Sequence, residues 1–239
     1  MASGWRWGAL IALALHGAGA ARAAGPEGAI TVGGFAIDAT EVTVAAFARH
    51  AAARGLTTVA EREGGGHEYR LGWQRRPGWS YRSPSGTPAR ENDPAAHLTW
   101  FEARDYCAAQ GGRLPTLAEW REAAFTERRA APTDGFKPGQ TYPFPVGDRP
   151  EGMNLTGTDP AAGDVWERHA PTGATRRGVN GLHDMGGNLW EWLADRRGSE
   201  ALTAGGSWWY GPAQTRSDTP QWKDAGFTAV YIGFRCVYG

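Results

Sequence analysis

The stretch Gly181-Leu182-His183-Asp184-Met185-Gly186-Gly187-Asn188-Leu189-Trp190-Glu191-Trp192 sets oxygen-bearing side chains close together around a glycine pair. Glycine reaches positive φ without a Cβ clash, so Gly186-Gly187 predicts a tight turn. Asp184, Asn188 and Glu191 then project from a bent backbone. Short-spaced oxygen ligands on such a backbone suit a hard cation such as calcium, which takes six to eight oxygens, many of them carbonyls. The alternative is a turn packed by Trp190 and Trp192 with no metal. A second oxygen-rich stretch, with Asn154, Asp159 and Asp164 among glycines, carries a weaker signal of the same kind.

Other groups capable of chemistry are sparse. The six histidines are scattered and form no His/carboxylate triad in the sequence. His97 and His183 stand out because they sit inside dense motifs. Glu119 and Glu122 resemble catalytic acids, but Glu119 lies three residues after Thr116 and reads as the acid of a helix capping box. Cys107 and Cys236 are the two cysteines, and neither has a zinc-type spacing.

Compartment bears on those cysteines. Trp5-Arg6-Trp7, the apolar run Ala9 to Ala20 and the small-x-small Ala21-Arg22-Ala23 predict a signal peptide over residues 1–23. The mature chain would start near Ala24 and be periplasmic or secreted. The apolar run is too short for a stable membrane anchor. Export favours a Cys107–Cys236 disulfide over two free thiols.

The elements positioning these groups are short. The chain of 239 residues carries 35 Gly, 15 Pro and 12 Trp. Glycine and proline at that level predict many turns, and the tryptophans supply buried area that argues against disorder. Basic and acidic residues balance at 25 each with no like-charge block, which excludes a nucleic-acid-binding surface. A strand is predicted over Thr31 to Ile37. A helix over Val44 to Arg54 has Thr43 as N-cap and Gly55 as stop. Thr57 to Gly66 reads as a loop, and Leu71 to Pro88 as irregular, aromatic-packed chain. Capping boxes at Thr99/Glu102 and Thr116/Glu119 start helices over Trp100 to Gln110 and on to Phe125. A strand is predicted to begin at Ala204, and Tyr231 to Val237 reads as a buried terminal strand.

Taken in order, several segments carry a family resemblance: Glu41-Val42-Thr43, Thr58-Val59-Ala60-Glu61, Gly78-Trp79-Ser80-Tyr81-Arg82, His97 to Ala103, Gly112 to Thr116, the central Gly181 to Trp192, Gly205-Gly206-Ser207-Trp208 and Gly233-Phe234-Arg235-Cys236. Together they resemble the formylglycine-generating enzyme, or sulfatase-modifying factor, domain. The resemblance runs from about residue 30 to the C-terminus. It implies a single α+β domain with the formylglycine-generating-enzyme fold, C-type-lectin-like, compact, loop-rich and poor in regular secondary structure, over residues 24–239.

The resemblance also implies ligands. One calcium would take the Asp184 side chain, the Gly187 and Leu189 carbonyls, and Glu191. A second would take Asn154, the Leu155 carbonyl, Asp164 and the Trp166 carbonyl. Some family members pair the cysteines that correspond to Cys107 and Cys236. Formylglycine formation in the family uses copper(I) on two cysteines just after the Gly-Gly-Ser, and thiolates are the soft ligands that ion prefers. Here Ser207 to Arg235 contains no cysteine. The departure implies a member that does not make formylglycine by the known mechanism.

Two functions follow. One is an accessory module that binds a client protein, peptide or other ligand through Trp208-Trp209-Tyr210. The other is a periplasmic oxidoreductase with altered chemistry, such as oxidative maturation of a siderophore or other secreted product. Its residual pocket would use Ser207, Trp208, Trp209, Tyr210, Arg216 and His97, with copper or iron as the metal to look for.

Overall fold

Gly33 turns the chain back on itself at φ 56°, so the expected single strand is a hairpin of β1 (Ala29–Val32) and β2 (Phe35–Asp38). The computed structural model describes residues 1, 25–157, 159, 161 and 163–239; the expected signal peptide lies outside the described residues. β2 also pairs antiparallel with β9 (Val237–Tyr238), so the start and end of the described chain share one sheet.

Helix α1 (Val44–Arg54) begins on Thr43, whose hydroxyl accepts the Ala46 N–H, and stops at Gly55 in the left-handed region. Val44, Phe47 and Ala51 face the core as the spacing requires. The expected loop after it contains a short helix α2 (Val59–Arg62), started by a capping box of Thr58 and Glu61. That Thr-x-x-Glu pattern is present in the sequence but too short a helix follows for periodicity to reveal it. A second hairpin, β3 (His67–Tyr69) with β4 (Trp73–Arg75), runs into the segment expected to be irregular, so its first residues form a strand.

Helices α3 (Trp100–Ala109) and α4 (Leu117–Phe125) both start on the expected capping boxes. Glu119 is a cap, and it also binds Arg113 at 2.5 and 2.7 Å. Glu122 pairs with Arg128 near the surface. Between α4 and β5 (Trp190–Arg197) the described residues form no α-helix, and a 3-10 turn spans Val179–Gly181.

β5, β6 (Glu200–Ala204), β7 (Gln221–Asp224) and β8 (Ile232–Gly233) form the largest sheet, in the order β7-β6-β5-β8. A strand therefore ends at Ala204, where the sequence suggested one beginning. The single terminal strand expected over Tyr231 to Val237 is two two-residue strands, β8 and β9, in different sheets. Between them Arg235 turns a charge into the core.

The main core packs α1 and α3 against Trp190, Trp192, Tyr231, Ile232 and Phe234. Cys107 of α3 and Cys236 are joined there by a disulfide, with Cα atoms 5.5 Å apart and both residues fully buried. Among the described residues no helix is long and apolar enough to cross a membrane.

Candidate functional site

The central turn is where four distant segments meet. Asp184, Gly187 and Asn188 have φ of 59°, 78° and 52°. At Gly187 a Cβ would lie 2.2 Å from the Asn154 carbonyl oxygen, so glycine is required by contact as well as by φ. The Asn188 N–H donates to that carbonyl at 2.9 Å. Its side-chain amide donates to Glu41 at 2.6 Å, while its Oδ1 accepts from Asn154 and from the Ala170 N–H, both at 2.9 Å. The Asn188 carbonyl accepts the Trp208 N–H at 3.0 Å, and the Gly205 carbonyl accepts the Gly187 N–H at 2.8 Å. The turn thereby fixes Gly205-Gly206-Ser207-Trp208 in space.

Charge beneath this turn is concentrated. Arg235 and Glu191 are fully buried and meet at 2.7 to 2.9 Å. Glu191 also accepts the Trp120 indole N–H at 2.8 Å, and the guanidinium donates to the carbonyls of His183 and Asp38 at 2.8 and 3.1 Å. Asp184 accepts from the Thr175 hydroxyl at 2.5 Å and the Gly173 N–H at 2.8 Å. Burial, with Asp184 and Glu191 nearby, pushes the Glu41 carboxyl well above its ordinary range. Glu41 and Arg235 are components of the site that the sequence reading did not assign. The available signal was a charged residue inside an otherwise apolar run, as Arg235 is.

The two oxygen sets fit a hard cation on different grounds. Around the central turn the fit is one of charge: Glu41, Asp184 and Glu191 face a single guanidinium. Each of these carboxylates already accepts hydrogen bonds, and Arg235 offsets part of the charge. At the other set the fit is unmet valence. Asn154 donates to the Arg168 carbonyl and to Asn188, but its own buried Oδ1 has no partner. Asp164 accepts from the N–H groups of Leu155 and Trp166 at 3.0 and 3.3 Å, and burial raises its pKa. An orphaned buried amide oxygen beside a buried carboxylate is costly without a ligand. Among the described residues no group of three or more His, Cys, Asp or Glu could hold a metal, so both sets depend on backbone carbonyls.

A separate cavity of about 350 Å³ opens beside the end of β5. Trp73, Trp190, Tyr210, Trp222, Phe227 and Tyr231 form most of its wall, with Lys223 among them. Of the residues expected to form a pocket, Tyr210 lies on this wall, its ring edge-on to Trp190 at 5.6 Å. Trp208 is buried behind it and touches Tyr231 and Trp209. Trp209 is 40% exposed and packs on the wall residue Tyr231 without lining the cavity itself. Ser207 is fully buried with Oγ toward the Trp209 N–H.

The remaining candidates lie elsewhere. His97 is fully buried, bonded to the Pro84 carbonyl at 2.9 Å, and held neutral by burial that lowers its pKa to about 3. It does not line the cavity. Arg216 lies over Phe144 and near Asp218, also off the cavity wall. His183 binds the Thr175 carbonyl at 3.1 Å and serves the turn.

Comparison with known proteins agrees with this architecture. The family model for the sulfatase-modifying factor enzyme 1-like domain matches residues 12–239. The formylglycine-generating enzyme of Streptomyces coelicolor is 31% identical over 188 residues, covering 67% of this chain and 57% of that protein. The inactive C-alpha-formylglycine-generating enzyme 2 of Mus musculus is 31% identical over 182 residues, covering 69% and 56%. The chain thus spans little more than half the length of these two relatives. PvdO from Pseudomonas aeruginosa has a similar fold, with a TM-score of 0.62 at 19% identity, covering 85% of this chain and 80% of that one.

Proposed function

Because the chain belongs to the sulfatase-modifying factor enzyme 1-like family, we propose that it is an exported member that does not make formylglycine and instead binds a client protein or ligand whose maturation it assists. One observation carries this reading. The chain's only two cysteines are bonded to each other in the core, and Ser207 to Arg235 contains none. The position just after Gly205-Gly206-Ser207 holds Trp208, Trp209 and Tyr210 instead, with Trp208 buried and Trp209 and Tyr210 reaching the surface or the cavity wall. These are stacking surfaces, suited to recognition of apolar or aromatic groups. The existence of a relative named as an inactive formylglycine-generating enzyme supports a scaffold retained without that chemistry.

Calcium is part of the proposal as a structural ion. Asn154 Oδ1, Asp164 and the carbonyls of Leu155 and Trp166 would hold one ion. Asp184, Glu191 and the carbonyls of Gly187 and Leu189 would hold another. Such an ion would supply charge neutralisation and cross-linking of loops.

The direct test is to incubate the purified chain, supplied with copper(I) and oxygen, with a peptide bearing a sulfatase-type cysteine motif. Mass spectrometry should find the thiol intact; conversion to the aldehyde overturns the proposal. Elemental analysis of the same preparation should find calcium. Stoichiometric copper or iron would instead favour the oxidoreductase alternative.

A further inference from the structure

Lys223 is the one cationic side chain on the cavity wall, and it lacks a counter-ion among the described residues. It lies on the edge strand β7 and reaches across the sheet, placing Nζ 4.3 Å from the centroid of the Trp190 ring. Its one hydrogen bond is to the neutral Gln221 Oε1 at 2.9 Å. The carboxylate of Asp224, also on the wall, is turned to the Gly226 N–H at 2.7 Å instead. Burial alone, unopposed by any anion, lowers the Lys223 pKa to about 7.

The surrounding walls are rings. Trp73 stands edge-on to Phe227 at 4.7 Å and close to Tyr231 at 6.0 Å, and it is 50% exposed. Tyr210 and Trp190 close the inner side. A partly desolvated ammonium is costly unless paired. Here a π face and an amide oxygen are its only protein partners, and neither carries a charge. Aromatic walls favour a flat apolar body, and a cavity of about 350 Å³ is of the size that holds small ligands. Charge and shape therefore ask for the same thing.

We propose that the cavity binds a planar aromatic small molecule bearing a carboxylate, the ring lying among Trp73, Tyr210, Phe227 and Tyr231 and the anion meeting Lys223 Nζ. This rests on the reading of the Trp208–Tyr210 face as a recognition surface and names the ligand class it takes. Lys223 is then the residue that selects anionic over neutral rings.

Isothermal titration calorimetry of the full chain with 2-naphthoate, 2-naphthamide and hexanoate tests this. The expected result is naphthoate binding at least about tenfold tighter than either of the others, since a desolvated ion pair and the ring contacts both count. Lys223→Met should remove the preference for naphthoate over the amide, and Lys223→Arg should retain it. Trp73→Ala, at an exposed position, should weaken both ring compounds without changing their ratio. Near-ultraviolet circular dichroism confirms that each variant keeps its aromatic packing. Equal binding of acid and amide, no binding of either, or a preference that survives Lys223→Met overturns the assignment. Aldehyde formation in the peptide assay would overturn the non-catalytic reading while leaving this result to stand or fall separately.

Discussion

Arg235 shows how one residue organises its surroundings. Its guanidinium satisfies both oxygens of Glu191 and two backbone carbonyls, all without solvent. Breaking a buried pair by removing one partner typically costs about 3 to 5 kcal/mol, because the other charge is left uncompensated. Arg235→Met should fall within that range in urea denaturation, since it leaves Glu191 buried without its partner and beside the Asp184 carboxylate. The double change Glu191→Leu, Arg235→Met should recover only part of the loss. The Trp120 N–H and the carbonyls of Asp38 and His183 would remain unpaired. Glu119 offers a pH test at the same scale. Its hydrogen bonds from Arg113 foremost, and from Thr116, hold its pKa down to about 2, against an ordinary 4.5. A depressed carboxyl pKa stabilises the fold above the ordinary value and loses that contribution as pH falls toward the folded one. Glu119→Gln should therefore be less stable than the wild type at pH 6. The difference should shrink between pH 4.5 and 2 in denaturation curves taken across that range. A constant difference would show that Glu119 acts by packing alone.

Among the elements, those whose stability is local were legible in the sequence. Helices α1, α3 and α4 start on Thr caps and carry apolar faces, and both signals lie within a few residues. The short strands were not legible. β8 and β9 are two residues each and exist because chain from elsewhere pairs with them, so their apolar run read as one strand. The same limit applied to the site. The glycines and Asp184 marked the turn, but its partnership with Glu41, Asn154 and Arg235 spans the whole chain. Lys223 and the aromatic cavity had no linear signature at all. Close approach between elements gives a direct test. A Cβ at Gly66 would lie 2.0 Å from His97 Nδ1, and His97 itself sits at φ 58°. Gly66→Ala should be destabilised by about 1 to 3 kcal/mol through overpacking. His97→Gly removes the obstructing ring and tolerates the positive φ. The double variant should therefore be more stable than the sum of the two losses predicts, a non-additivity expected for residues in contact. Strict additivity in thermal unfolding would show that the two residues do not share this space.

On the scale of the whole molecule, the chain is closed at two levels. The β1–β2 hairpin pairs with β9, and the Cys107–Cys236 disulfide ties α3 to the same terminal segment across 129 residues. In the chain-entropy model a loop of that length contributes about 4 to 5 kcal/mol by restricting the unfolded chain. The double change Cys107→Ala, Cys236→Ala should lower stability by about 2 to 5 kcal/mol while leaving the folded cavity competent, because the bridge acts mainly on the unfolded state. The middle of that loop is differently held. From Thr126 to Leu189 the described residues form no α-helix and, in place of extended strands, only isolated bridges such as Thr126 with Thr141 and Phe144 with Gly147, so long hydrogen-bonded ladders are not what holds it. Short backbone turn bonds and side-chain bonds from Asn154, Asp164, Asp184 and Asn188 hold it instead, and the proposed calcium would draw the same side chains together. Regions stabilised by few such links open below the free energy of global unfolding. Chelation by EGTA should accordingly expose this segment first. Limited trypsin digestion should then cut at Arg168 or Arg176 before α3 or α4 is attacked, and added calcium should restore protection. An unchanged cleavage pattern with and without EGTA would mean that protein hydrogen bonds alone hold the middle of the chain, and that Asn154 Oδ1 is satisfied by water.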